Sequence, residues 1–112
     1  MTILMLEEVL GLRADIKAVV ALSNESVFRM LEKEGFELPE GEETKRMIVQ
    51  GQLLMGMVQS NSASYGDAKF IVVSMEKVNV LLLPHDNSVI AVVFERMYDI
   101  EGLARLIRNL VK

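Results

Sequence analysis

Few side chains in this 112-residue chain have the chemistry of a catalytic or metal site. The single histidine, His85, lies in the turn-forming run 84–88, where we expect a solvated turn residue rather than a base or metal ligand. Asp86, Glu95 and Asp99 lie near predicted strand ends, and nothing in their spacing brings two carboxylates together for acid–base catalysis. The chain has no cysteine, which excludes thiolate nucleophiles, disulfides and zinc–thiolate sites. We therefore predict no metal, no cofactor and no enzymatic activity.

The sequence also offers few residues that could bind or hydrolyse a nucleotide. Binding of phosphates by a hydrolase of GTP or ATP needs a glycine-rich loop that ends in Gly-Lys-Ser or Gly-Lys-Thr, and the sequence has none. Arg29, Arg46 and Arg96 could in principle stabilise transition-state charge on a nucleotide held by another protein. Surface arginines are usually only solvated, and we expect that simpler role here.

The composition, with 51% hydrophobic and 25% charged residues, is typical of a folded protein, and the length predicts one domain over residues 1–112. The formal net charge is −4, and the basic residues are scattered instead of forming the stripe that displaces counterions from phosphates, so we expect no nucleic-acid partner. Acidic residues appear at Glu7 and Glu8 after only a few apolar ones, unlike a secretory leader. Together with the lack of cysteine, this predicts a cytoplasmic protein.

The spacing of hydrophobic residues predicts the helices and strands that would position these side chains, in the order α-β-β-α-β-β-β-α. This order is typical of an α/β fold (α+β, profilin-like) with a five-stranded, mostly antiparallel sheet and helices on its faces. The predicted helices are Ile3 to Leu12, Glu42 to about Ser60, and a last helix capped by Asp99; the segment from Asn61 to Gly66 ends the second of these helices. The predicted strands are Ile16 to Leu22, Val27 to Leu31, Lys69 to Met75, Val78 to Leu83 and Val89 to Phe94.

The long middle helix carries more apolar surface than one sheet can cover, because no charged residue occurs between Arg46 and Asp67. The predicted sheet-facing stripe is Met47, Gly51, Leu54, Met55 and Val58, and a second apolar surface beside it comprises Ile48, Val49, Leu53 and Met57. The run is too short to cross a bilayer, which needs about 20 apolar residues, so we predict no membrane span. Self-association would cover the second surface, and burial under the other helices of the same chain is the alternative.

Four polar or small residues within this helix fit an interface. Gly51 and Gly56 each cost roughly 1 kcal/mol relative to alanine in a helix interior, which is easier to understand if another backbone approaches closely. Gln50 and Gln52 could form hydrogen bonds across a contact without the desolvation cost of a charge.

The strand segment from Ala68 to Met75 offers a second contact because it is apolar on both faces. At a sheet edge it would need a partner strand, which a symmetry-related copy can supply. An internal strand covered by helices on both faces fits the same pattern, and the sequence leaves both open.

The whole chain resembles the Roadblock/dynein light chain superfamily in its segment order and length, best in the strands Ala68 to Met75, Val78 to Pro84 and Ser88 to Phe94 and in the helix with Gly102 to Leu106. The resemblance implies a homodimer, or a heterodimer with a paralogue, in which third strands pair across a two-fold axis and long helices lie side by side. It also implies a small Ras-like GTPase as partner. The acidic loop from Lys33 to Gly41 departs from the family pattern.

We therefore expect a non-enzymatic homodimeric adaptor that scaffolds or modulates a small Ras-like GTPase or a similar partner. The expected dimer or partner interface is Ile48, Val49, Gln50, Gln52, Leu53, Gly56, Met57, Phe70, Val72 and Ser74. The alternative is a profilin-like or PAS-like sensory module that binds a small apolar ligand between the sheet and the long helix.

Overall fold

A computed structural model describes residues 3–23, 27–39, 41–86 and 88–111 of the chain. The helices are α1 (Ile3–Leu10), α2 (Glu42–Gln59), α3 (Ser62–Tyr65) and α4 (Ile100–Leu110), and the strands are β1 (Ile16–Ser23), β2 (Val27–Glu32), β3 (Ile71–Ser74), β4 (Asn79–His85) and β5 (Ser88–Phe94). The predicted fold class and element order are confirmed, with the short helix α3 as an addition after α2. The predicted loop from Lys33 to Gly41 is a loop in its described residues, 33–39 and 41.

The five strands form one antiparallel sheet in the order β2-β1-β5-β4-β3. β3 is therefore an edge strand, which settles the question that the sequence leaves open. It pairs with β4 only from Ile71 to Ser74, so the prediction that the strand begins at Lys69 is wrong. Pro84, in β4, lies beyond the last β3 pair, Ile71 with Leu82, where its missing N–H interrupts no pairing with β3.

Helices cover both faces of the sheet and create two hydrophobic layers. The layer between the sheet and helices α1 and α4 contains Leu6, Val9, Val19, Leu81, Ile90, Val92, Phe94, Leu103 and Ile107. The layer between the sheet and α2 is smaller and contains Val20, Leu22, Met55, Leu82, Val89 and Ala91. Helices α1 and α4 thus share one face of the sheet, whereas α2 packs on the other face.

Helix α4 begins and packs as its sequence predicts. The carboxylate of Asp99 accepts a hydrogen bond from the backbone N–H of Gly102 at 3.2 Å, which confirms the predicted N-cap. Leu103, Ala104 and Ile107 are buried against the sheet, while Leu106 on the outer side is 51% exposed. This outer leucine provides a useful comparison for the exposed residues of α2.

Candidate functional site

Helix α2 lies close to the sheet at Gly51. A Cβ atom at this position would lie 3.4 Å from Cδ1 of Leu22 and 3.8 Å from Cδ2 of Leu82, which is ordinary van der Waals contact with the sheet. Met55, one turn later, is only 5% exposed. Gly51 therefore faces the sheet of its own chain and not another backbone.

The opposite side of α2 is apolar and open to water. Val49, Leu53 and Met57 follow one another at four-residue spacing, which places them on one helix face. Their exposed fractions are 53%, 60% and 67%. Gly56 lies beside them with no atom within 4 Å of where its Cβ would be. We call these four residues the outer face of α2.

The remaining predicted interface residues of α2 have different surroundings. Gln50 is exposed, and Gln52 is half-buried. Ile48 departs from the prediction, because it packs against the core layer beneath α2. At 100° per residue it lies only 20° from Met55 on the helical wheel, which is inside the buried strip.

The predicted sheet-facing stripe is also narrower than expected. Gly51 and Met55 are buried, but Met47, Leu54 and Val58 are 40%, 37% and 39% exposed. These three side chains lie at the flank of the buried strip, because one helix covers only part of a five-stranded sheet. Apolar surface therefore extends from the outer face of α2 around to this flank.

The three predicted interface residues near β3 do not share a face with α2. Phe70 and Val72 are half-buried against the layer under α1 and α4. Ser74 is exposed, and its Oγ donates a hydrogen bond to Oδ1 of Asn79 at 2.7 Å. What β3 offers to a partner is its backbone edge, together with Ile71 and Val73 on the α2 side.

A groove separates α2 from the sheet along one flank of the helix. Its cavity volume is about 350 Å³, its floor is formed by sheet residues such as Val80, Leu82 and Ala91, and its helix wall includes Met47 and Leu54. This is the position in which the alternative function would bind an apolar ligand.

A polar cluster at one end of the sheet has no counterpart in the sequence predictions. Arg13 donates from Nε and Nη2 to the two carboxylate oxygens of Asp15 at 2.8 and 2.7 Å, and also to the backbone carbonyls of Arg96 and Tyr98. The backbone N–H of Arg96 donates to Asp15 at 2.7 Å. The cluster ties the loop before β1 to the loop after β5.

The electrostatics of this cluster follow from its hydrogen bonds. The guanidinium of Arg13 holds the pKa of the Asp15 carboxyl well below its usual range, against the opposing effect of desolvation, and the Arg96 N–H adds to the lowering. The Asp15 side chain is only 10% exposed, so this pair is well shielded from water. Its partners are structural groups of the chain itself, which indicates a stabilising role.

Neither a metal centre nor a membrane helix is found in the described residues. Across those ranges, no three His, Asp or Glu side chains lie where they could hold a metal ion together. His85 is the last residue of β4 and is half-buried, so it is not the solvated turn residue that the sequence predicts. Its Nε2 is 3.8 Å from a carboxylate oxygen of Asp86. Within the same ranges, every helix is too short or too polar to cross a bilayer.

No protein-family model and no curated protein matches the sequence. Solved structures do match: a Roadblock/LC7 domain from Streptomyces avermitilis has a TM-score of 0.74 at 16% identity, over 96% of this chain and 89% of that chain. MglB with a tetrameric arrangement has a TM-score of 0.72 at 14% identity, over 98% and 82%. Gliding protein MglB from Thermus thermophilus has a TM-score of 0.67 at 14% identity, over 98% and 82%. The chain therefore has the Roadblock/LC7 fold.

Proposed function

We propose that this chain is a non-enzymatic cytoplasmic adaptor that self-associates and docks a small Ras-like GTPase, which it scaffolds or modulates. The observation that carries the proposal is the outer face of α2, where Val49, Leu53 and Met57 are each more than half exposed. Contiguous exposed apolar side chains of this kind are typical of protein–protein contacts.

The hydrophobic effect favours covering this face. Complete burial of a valine, leucine or methionine side chain contributes roughly 1.5–3 kcal/mol, so covering the exposed half of each contributes about 1 kcal/mol. A symmetric pair of copies counts every contact twice, because the same face lies on both subunits. Gly56 leaves room for a second helix to approach closely.

The edge of β3 supports the same arrangement. An edge strand exposes unpaired N–H and C=O groups, and pairing with a second copy would satisfy them. β3 and α2 lie near one another, because Val73 of β3 and Leu54 of α2 line the same groove. One partner subunit could therefore contact both elements.

The resemblance to the Roadblock/dynein light chain superfamily implies the GTPase partner, and the shared fold agrees with that resemblance. The chain shares that fold with Roadblock/LC7 and MglB structures, and it has no phosphate-binding loop of its own. We therefore assign nucleotide binding to the partner and docking to this chain.

Binding to small Ras-like GTPases from the same genome, loaded with GDP or with a non-hydrolysable GTP analogue, tests this function. The native chain should bind at least one of them, and Leu53→Asp should weaken that binding at least tenfold. Leu106→Asp is the matched control, because Leu106 is 51% exposed on α4 and lies away from α2. Equal losses in the two variants, or no binding by the native chain, would argue against GTPase docking through α2.

A second candidate function is favoured by one observation. The apolar groove under α2 is of the size that binds small molecules, which span roughly 300–1,000 Å³. A sensory module of this kind would bind a ligand between the sheet and α2. Docking uses the outer face of α2, whereas ligand binding uses the flank that includes Met47 and Leu54.

A further inference from the structure

The groove under α2 has apolar side chains along its floor and charged side chains at one end, which we call its mouth. Its floor consists of valine, leucine and alanine side chains from four strands, among them Val80, Leu82 and Ala91. The charged residues that line it are Glu43 and Arg46, which both belong to the first half of α2. A ligand that fills the groove would therefore place an apolar chain over the sheet and a polar head beside these two residues.

The groove and the outer face of α2 are separate surfaces. Val49, Leu53, Gly56 and Met57 do not line the groove, whereas Met47 and Leu54 do. Occupation of the outer face alone therefore does not fill the groove, whereas a subunit that also contacts Leu54 and Val73 competes with a ligand for it.

The two charged residues at the mouth, Glu43 and Arg46, have opposite signs, and the arginine is the one available to a charged head. Among the residues that the structure describes, Arg46 forms no ion pair. Its neighbour Lys45 does form one, because its Nζ lies 3.7 Å from Oε1 of Glu42. Glu43 is in the first turn of α2, where the positive end of the helix dipole already favours a negative charge. Arg46 is thus the cation available to a ligand, and a guanidinium can donate two parallel hydrogen bonds to a carboxylate.

We infer that this groove binds a small amphipathic carboxylate, with its apolar chain over the sheet and its carboxylate at Arg46. The inference rests on the second candidate function and names its ligand class. It does not depend on GTPase docking, which the binding assay of the native chain with nucleotide-loaded GTPases tests separately.

Calorimetric titration of the purified chain with dodecanoate, dodecanol and dodecylammonium, each below its micellar concentration, tests the inference. Dodecanoate should bind most tightly. Arg46→Gln should raise the Kd for dodecanoate about tenfold and leave the Kd for dodecanol unchanged, because only the carboxylate uses the guanidinium. Arg105→Gln is the matched control, since Arg105 is an exposed arginine on α4, and it should change neither value.

Two filling variants locate the site. Val80→Phe narrows the groove from the sheet, and Leu54→Phe narrows it from the helix, so each should weaken dodecanoate and dodecanol alike. Circular dichroism identifies either variant that fails to fold, and the other then decides the question.

These measurements distinguish whether the groove binds a ligand at all from whether that ligand is a carboxylate. No binding of any probe, or binding that both folded filling variants leave unchanged, overturns the groove as a ligand site. Equal binding of dodecanoate and dodecanol, or tighter binding of dodecylammonium, overturns the carboxylate assignment while the groove remains a ligand site. In every case, sedimentation of the same samples shows whether self-association stands.

Discussion

Arg13 and Asp15 face each other through two hydrogen bonds, 2.8 and 2.7 Å long, at the end of the sheet where the chain enters β1 and leaves β5. The same guanidinium also donates to the carbonyl of Arg96 at 2.7 Å. Two side chains thus join backbone segments more than 80 residues apart in sequence. The pair therefore links the loop before β1 to the loop after β5, and so stabilises the pairing of these two central strands.

Asp15→Asn should destabilise the chain by about 1–3 kcal/mol, because the hydrogen bonds of a charged group in a shielded position are lost or weakened. Urea denaturation followed by circular dichroism measures this change in the free energy of unfolding. Glu101→Gln is the control, since it removes only an exposed contact to Arg105 at 3.9 Å, and it should change stability by less than about 0.5 kcal/mol. Similar losses in the two variants would show that the Arg13–Asp15 pair has no special role.

Stability should fall in acid partly through Asp15. The folded-state pKa of Asp15 is lowered, so its contribution is fully present above the pKa of the unfolded chain, about 3.9, and is lost as pH falls below that value toward the folded-state pKa. The difference in urea midpoint between the native chain and Asp15→Asn should therefore be constant from about pH 7 to 5 and shrink at about pH 3. A difference that does not change with pH would contradict this assignment.

The two helix glycines should respond differently to alanine. Gly56→Ala should stabilise the isolated subunit by up to about 1 kcal/mol, since alanine favours helix, but should weaken self-association because the new methyl group lies on the outer face. Gly51→Ala places its methyl group toward Leu22 and Leu82 and should leave the association constant unchanged.

Urea denaturation at low concentration and sedimentation equilibrium measure the two effects separately. If Gly51→Ala weakens association more than Gly56→Ala does, the assignment of the two helix faces is wrong.

Local patterns in the sequence predict much of this fold. The absence of charge between Arg46 and Asp67 shows that α2 has more apolar positions than one buried strip requires, and Val49, Leu53 and Met57 are indeed exposed. The N-cap at Asp99 is equally local, because the capping residue and its N–H partner are three residues apart.

Other features depend on contacts between distant segments and do not appear in local patterns. The position of β3 at the edge depends on the strand order, and its apolar residues fit an internal strand equally well. Ile48 lies at the boundary between two apolar faces of one helix, where periodicity does not determine which side is buried. Arg13 and Asp15 are visible as a charged pair, but their backbone partners follow β5.

Self-association through the outer face of α2 is the central claim, and sedimentation velocity at micromolar concentration tests it most directly. The native chain should sediment with twice the mass of its 12.6 kDa subunit, Leu53→Asp should sediment as a folded monomer, and Leu106→Asp should remain a dimer. A native chain that remains monomeric at this concentration, or a Leu53→Asp variant that remains dimeric, would contradict it.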